Sequence, residues 1–302
     1  MALKTLFFLG KGGTGKSTAS ALLSLVLMQK GKKVLLASFD DAHNQGDIFQ
    51  ETISDKACSF GPCLEVLQID RDREIQAYLS KTADRVKASY TYLTAFNLDN
   101  YFDILKYSPG MEEYGLVTAF MGLWDRCSAY DYLVIDMPPT ALSMRFFNLP
   151  GLSLTWVEHL EKLRREIHER KEIISRIKFA GKEFERDRIL QRLNEIKADY
   201  MRLNAIFKDP AKAAFFAVVN EDRLSVAETG RIIEQLQGLS ISLKGVICNN
   251  RGTTTGTGNQ AFQDYFPSIP VEKIPFSGAP LIGMDALEAH IREHGLDFGR
   301  LI

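Results

Sequence analysis

The 302-residue chain has no Cys-x-x-Cys pair anywhere. The short spacing typical of a structural zinc clip or a redox dithiol is therefore missing. Its four cysteines are Cys58, Cys63, Cys127 and Cys248, and only the first two are close, in a loop that also holds Gly61 and Pro62. That pair leaves open a shared metal or anion site, or two free thiols in a reducing compartment. Also absent is the uninterrupted apolar run, about 18 residues long, that a membrane-spanning helix needs. The first residues lack the basic-then-apolar leader and small-residue cleavage site of a secretory signal, so a cytoplasmic location is expected. Charge of one sign is lacking as well. Lysine and arginine total 37 against 38 aspartates and glutamates, a net charge of −1. No global field draws the chain to nucleic acid or to an anionic membrane.

What remains is the composition of a soluble globular protein, 45% hydrophobic and 25% charged. The length suffices for one large α/β core or two modest units. The first eighteen residues organise the rest. Leu3 to Leu9 reads as a buried strand, Gly10-Lys11-Gly12-Gly13-Thr14-Gly15-Lys16-Ser17-Thr18 follows at once, and Ala19 to Gln29 reads as a helix. Four residues separate Gly10 from Gly15-Lys16-Ser17, which is the P-loop spacing in its strand–loop–helix context. Glycines there let backbone N–H groups cradle phosphate oxygens at a helix N-terminus. Lys16 is placed to contact the β- and γ-phosphates, and the Ser17 hydroxyl to ligate Mg²⁺. Gly10, Gly12 and Gly15 also satisfy G-x-G-x-x-G, with Asp40 after the next strand, as in dinucleotide-binding folds. A dinucleotide fold has no use for a lysine–hydroxyl pair aimed at a terminal phosphate, so a nucleoside triphosphate is the better reading.

Two acids complete this constellation. Lys33 to Phe39 is a second strand, ending in Asp40-Asp41-Ala42-His43-Asn44. In open parallel sheets ligands sit beyond the carboxyl ends of the strands, so Asp40 can orient or deprotonate an attacking water, or hold Mg²⁺ through a water. Asp41 and Asn44 read as helix-capping residues. Tyr132 to Asp136 is an apolar strand closed by an acid, which suits Asp136 to holding magnesium through water. The stiff turn Met137-Pro138-Pro139-Thr140 then stands where a loop can sense the γ-phosphate.

Elsewhere Ser54 to Pro62 reads as a loop and Leu64 to Ile69 as a strand. Ile75 to Ala95 reads as a helix with Tyr90 and Tyr92 packed near its end. A further helix follows Pro109-Gly110 as far as Ser128, with Glu112 and Glu113 answering its dipole. Leu149-Pro150-Gly151 is expected to close the first half. The composition then shifts: of the 45 residues from Glu158 to Arg202, 13 are basic and 10 acidic. Leu160, Leu163, Ile167, Ile174 and Ile177, then Ile189, Leu193, Ile196, Tyr200, Leu203 and Phe207, recur in steps of three and four. A turn near Ala180-Gly181 joins them as an antiparallel helical hairpin projecting from the core. Its matched charges favour a partner-binding or dimer-contacting arm over a nucleic-acid surface, with an inert solvated hairpin as the alternative. Pro210 ends it. Strands at Ala213–Val219, Leu243–Cys248 and Ile269–Ile274 and helices at Ser225–Leu236 and Met284–Glu293 complete the chain. Between them the glycine–threonine stretch Gly252 to Asn259, after Asn249-Asn250-Arg251, reads as a loop. Asn249, at a strand end, can pair with both donor and acceptor edges of adenine. Phe276 is suited to wall the base or to fill the core. The expected architecture is an α/β P-loop fold with a mostly parallel sheet, divided into a core of residues 1–152 and 210–302 and a helical insertion of residues 153–209.

Taken together, residues from about 3 to about 290 resemble the ArsA/Get3 group of ATPases, the deviant Walker A branch of the SIMIBI P-loop proteins. Gly10 to Thr18 is similar to that group's phosphate loop, including the early lysine, Lys11. The resemblance implies a homodimer closing on MgATP, Lys11 reaching the phosphates held by the other subunit. Asp40-Asp41-Ala42-His43 is similar to the first switch, Asp-Pro-Ala-His, with Asp41 in place of proline, and implies that Asp40 activates the catalytic water. Pro109-Gly110-Met111-Glu112-Glu113 resembles the group's Pro-Gly-x-x-Glu element. Asp136, Pro139, Thr140 and Arg145 agree with the second switch, where Ala141 and Leu142 replace glycine and histidine. Ser225, Glu228, Thr229 and Arg231 resemble the Ser-Leu-x-Glu-Thr-x-Arg helix. Asn249 falls at the adenine-reading asparagine, with Pro275 and Phe276 on the opposite wall. Departures concern the load: no Cys-x-x-Cys, one nucleotide module, and an insertion with Met201 as its only methionine. The resemblance is to a single-module bacterial relative with a protein or membrane-associated client. The competing outputs are an ATPase energising arsenite, anion or metal efflux, and a ParA/MinD-like partitioning switch. A metabolic kinase is the weakest case.

Overall fold

The computed structural model describes residues 3–42, 44–89, 107–108, 110–178, 188–249, 268–299 and 301. His43, Tyr90, Tyr92, Pro109, the Ala180-Gly181 turn, Asn250, Arg251 and the stretch from Gly252 to Asn259 lie outside them. The first apolar run forms β1 (Lys4–Leu9), flanked by β5 (Tyr132–Asp136) and β6 (Ala213–Asn220). With β2 (Val34–Ser38), β3 (Cys58–Ser59), β4 (Leu64–Gln68), β7 (Leu243–Asn249) and β8 (Val271–Ile274) they make one eight-stranded sheet, ordered β3-β4-β2-β5-β1-β6-β7-β8. Every neighbouring pair is parallel except β3–β4. β3 corrects the expectation of a plain loop from 54 to 62. Two residues carry no readable alternation, and their strand character comes from pairing Cys58 with Val66 and Ser59 with Glu65.

Alternation along β1 divides the core. Phe7 and Leu9 face one layer, Leu6 and Phe8 the other, and all four are buried. A strand covered on both faces reads as a continuous apolar run. One face holds α1 (Lys16–Gln29), which is buried nearly all round, and α8 (Met284–His294). The other holds α4 (Met111–Arg126), α5 (Thr140–Lys178) and α6 (Arg188–Lys208), joined by an aromatic cluster in which Phe7 stacks on Phe215 at 4.9 Å and Phe147 meets Phe207 edge-on. The remaining α-helices among the described residues are α2 (Asn44–Phe49), α3 (Arg71–Ser89) and α7 (Arg223–Gly238).

Two features of the expected arm are corrected. The chain does not break at Leu149-Pro150-Gly151, because α5, 39 residues in all, runs through Pro150 without interruption. Proline removes one helical donor, but Phe146 and Phe147 before it and Val157 after it are buried, so packing on both sides holds the axis together. The described part of the seam also departs from the spacing. Leu163 and Ile167 are exposed, whereas Tyr200, Leu203, Ile206 and Phe207 join the sheet-facing core. The α5–α6 pair is therefore anchored at its base. Farther out, Lys197 Nζ donates to the buried Glu161 carboxylate at 2.9 Å.

Candidate active site

Parallel strands deliver their carboxyl ends to one edge of the sheet, and there the sequence-predicted residues meet. A cavity of about 670 Å³ is lined by Gly13, Gly15, Lys16, Ser17, Thr18, Asp40, Asn249, Pro275 and Phe276. Gly12 is exposed on the loop beside it, and Thr14 is buried beneath it. Asp136 lies at the same edge, since Ser38 of β2 and Phe8 of β1 stand in register with it. Phe276 is 52% exposed, so it walls the cavity and is not a core aromatic.

The loop geometry needs its glycines at two points. Gly10 has φ +149 and Gly15 φ +90, and a Cβ would strike Val218 O at the first and the Asn249 side-chain amide at the second. Left-handed backbone with no room for a Cβ is the situation only glycine tolerates. Helix α1 begins at Lys16, three residues before the expected start, with Gly15 as an N-cap that offers no side chain to its backbone donors. Those donors thus face the cavity edge, an arrangement suited to anions. The Lys11 carbonyl ties the loop together, accepting from Thr14 Oγ1 at 2.9 Å and Lys16 Nζ at 3.4 Å. The Lys11 ammonium helps lower the Asp222 carboxyl, behind the larger effect of the Ser225 hydroxyl. Asn249 Nδ2 donates to Thr14 O at 3.0 Å, fastening the end of β7 to the loop.

Asp136 is fully buried. Burial pushes its carboxyl up to about 6, against the opposing influence of Ser17, Lys16 and Gln45; Asp40 adds to the rise. One of its oxygens accepts from Gln45 Nε2 at 3.0 Å, and the other has no partner among the described residues. A buried carboxylate oxygen without a donor, beside a serine hydroxyl and near a second aspartate, fits a divalent cation that keeps part of its water shell.

The pKa of Asp136 makes a prediction for nucleotide-free, magnesium-free protein. Between about pH 4 and 6 the folded chain holds this proton and the unfolded chain does not, so its contribution to stability grows as pH falls. At pH 7.5 both states are ionised and the burial penalty stands in full, about 3 kcal/mol for a shift of roughly two units. Asp136→Asn is expected to raise Tm at pH 7.5 and to have little effect at pH 4, checked by scanning calorimetry. An equal gain at both pH values would contradict the assignment.

Gln45 belongs to no sequence motif. It is wholly buried, and its Nε2 also lies 3.1 Å from Ser17 O and from Ser20 Oγ. A lone amide at the start of the short helix α2 has no periodic signature, so its one available signal is its position five residues beyond Asp40. Asn44, Asp47, Ile48, Ser277, Leu281 and Ile282 line the cavity for similarly tertiary reasons.

Around the rim the charged residues differ from expectation. Asp41 pairs with Arg71 at 2.6 Å instead of serving only as a cap, and Arg71 also reaches Glu112 at 3.6 Å. Arg145 of α5 pairs with Glu112 and with the buried Glu113. The two glutamates thus bind arginines in addition to facing a helix dipole. This chain of ion pairs runs from the turn after β2 to the helix after β5. Thr140 Oγ1 donates to Glu228 Oε1 at 3.0 Å, joining the start of α5 to α7. Cys58 and Cys63 are partly exposed, Cys127 and Cys248 buried. Among the described residues no cluster of three or more histidines, cysteines or acids could hold a metal, and no helix is long and apolar enough to cross a membrane.

A glycine loop between a central parallel strand and a buried helix, with acids at two neighbouring strand ends, is the arrangement of the α/β class of P-loop nucleotide-binding folds. The sequence profile of the anion-transporting ATPase family, ArsA type, matches residues 3–263, and the chain belongs to that family. It is similar to a candidate arsenical pump-driving ATPase 2 of Aquifex aeolicus (strain VF5), 28% identical over 95% of this chain and 97% of that protein. It is also similar to the ATPase ASNA1 homolog of Cryptosporidium parvum (strain Iowa II), 26% identical over 93% and 75%. With the ATPase GET3 of Mycosarcoma maydis it shares 27% identity over 82% and 72%.

Proposed function

We propose that the chain is a cytoplasmic, ATP-hydrolysing homodimeric switch that couples nucleotide turnover to movement of a client-binding helical arm. The observation carrying this reading is the 670 Å³ cavity, which gathers the phosphate loop, Asp40 and a base-sized wall of Asn249, Pro275 and Phe276. Lys16 and the α1 N-terminus would hold the phosphates. Asp40 would orient the attacking water and accept its proton. Ser17, and Asp40 and Asp136 through water, would hold Mg²⁺, which supplies charge neutralisation on the phosphates. Lys11 would complete the site of the facing subunit, where added positive charge stabilises the transferring phosphoryl group.

The output would run along α5. One helix extends from Thr140, beside the nucleotide edge, to Lys178, roughly 58 Å away at 1.5 Å per residue. A tilt at its root therefore displaces the insertion of residues 153–209 relative to the ATPase core of residues 1–152 and 210–302. The ion pairs from Asp41 to Glu113 supply a second connection between the two switch regions. The name of the Aquifex relative favours a second reading, an ATPase that energises efflux of arsenite or another anion.

Light scattering with Mg·ADP and with a nonhydrolysable ATP analogue tests the proposal, alongside steady-state phosphate release. An ATP-analogue dimer with magnesium-dependent hydrolysis is expected. A monomer in both nucleotides would overturn the switch mechanism.

A further inference from the structure

A second cavity, of about 430 Å³, lies between α3, α4, α5 and α6, away from the nucleotide edge. Its volume falls in the range of small-molecule sites, which are mostly apolar with a few placed polar groups. Tyr78 stacks on Tyr114 at 6.0 Å on one side, and Trp156 and Leu193 supply apolar wall on the other. Tyr200, itself buried, brings its hydroxyl against Tyr114 and Ser153. Burial, ahead of the influence of Tyr114, raises the Tyr200 phenol, so it remains a hydrogen-bond donor. Three hydroxyls thus converge within an apolar chamber.

The charges of the lining are placed differently. Lys81 and Asp199 are exposed, and Arg192 is engaged by Glu195 at 2.7 Å. None of them offers a buried partner to an ionic head group, and an unpaired charge is costly to desolvate. Along α6 the lining runs from Arg192 to Leu203, about 16 Å at 1.5 Å per residue, room enough for an extended ten-carbon chain. Trp156 is 66% exposed at the margin of this chamber, although tryptophan is highly buried on average.

We infer that this cavity binds an uncharged amphiphile, an extended acyl or alkyl chain ending in one hydroxyl or carbonyl, with Ser153, Tyr114 and Tyr200 holding the oxygen. The site stands apart from the nucleotide cavity and does not depend on the ATPase reading.

The test uses the full, nucleotide-free chain with three probes of equal length: 1-decanol, decanoate and decylammonium, each below its aggregation threshold. Calorimetric titration is expected to show one saturable site for decanol, at least tenfold tighter than for either ion. In a Trp124→Phe background, Trp156 is the sole tryptophan and its emission should shift to the blue on saturation. Leu193→Trp, which fills the chamber, should weaken decanol at least tenfold, and Tyr200→Phe about fivefold. Comparing head groups on the unaltered protein keeps the test decisive even where a variant folds poorly. Absence of saturable decanol binding, or equal affinity for all three probes, overturns the proposal. So does undiminished binding in a folded Leu193→Trp protein. Capture of an apolar helical peptide without decanol binding would place a polypeptide in the chamber and overturn it equally.

Discussion

Lys16→Ala is expected to lower ATP hydrolysis by roughly a thousandfold, about 4 kcal/mol of transition-state stabilisation. The ammonium lies at the start of α1 in a side chain only 5% exposed, held toward the loop by the Lys11 carbonyl. A cation so placed, with restricted access to solvent, acts on phosphate charge with less screening than a surface lysine. Other donors remain at the site, the backbone N–H groups of the helix start, so nucleotide binding should weaken by less than turnover. Phosphate release at saturating MgATP measures the first quantity and equilibrium nucleotide titration the second. Turnover within tenfold of the unaltered protein would remove Lys16 from the catalytic role.

The second large effect is expected at Lys11. If its ammonium serves the facing subunit, Lys11→Ala should reduce turnover about a hundredfold and weaken, without eliminating, the dimer formed with the ATP analogue. Affinity of the monomer for ADP should change little, because the loop uses Lys11 through its backbone carbonyl, which alanine retains. Mixing the two variants separates cis from trans action. A heterodimer of Lys11→Ala with Lys16→Ala contains one site with an intact Lys16 and an intact Lys11 from across the interface. An equal mixture with random pairing should recover up to about a quarter of the original activity if subunits exchange. No recovery despite demonstrated exchange would assign Lys11 to its own subunit's site, or to neither.

These predictions concern residues that local sequence exposes well. Gly10 to Thr18 is contiguous, and its glycines answer a local backbone requirement, so both composition and position are visible without the fold. Asp40 and Asp136 are legible because each ends an apolar run, and strand ends in a parallel sheet converge. Gln45 is different: its importance arises from contacts with Ser17, Ser20 and Asp136, which lie up to 91 residues away. The same holds for Arg71, whose partners Asp41 and Glu112 stand on separate elements. Nothing in the local spacing of either residue distinguishes it from an ordinary polar turn or helix residue.

The arm shows where periodicity alone was insufficient. Steps of three and four placed Leu163 and Phe207 on one notional seam, yet one is exposed and the other packs beneath the sheet. Periodicity specifies a helix face; only neighbouring elements specify what that face meets. Pro150 similarly marked a local helix breaker, but burial of the aromatics before it and Val157 after it outweighed the lost hydrogen bond.

By itself the amino-acid sequence determined the strand–loop–helix cradle, the two acids, the parallel α/β class and the charged helical insertion. Each rests on backbone conformation or on a period of two or of 3.6 residues, properties of consecutive residues. Tertiary structure alone decided the sheet order, the continuity of α5, the buried contacts of Gln45, the ion pairs joining the turn after β2 to α4 and α5, and the chamber between four helices. Those depend on which remote surfaces come together, and burial then sets the electrostatic strength of every group they enclose.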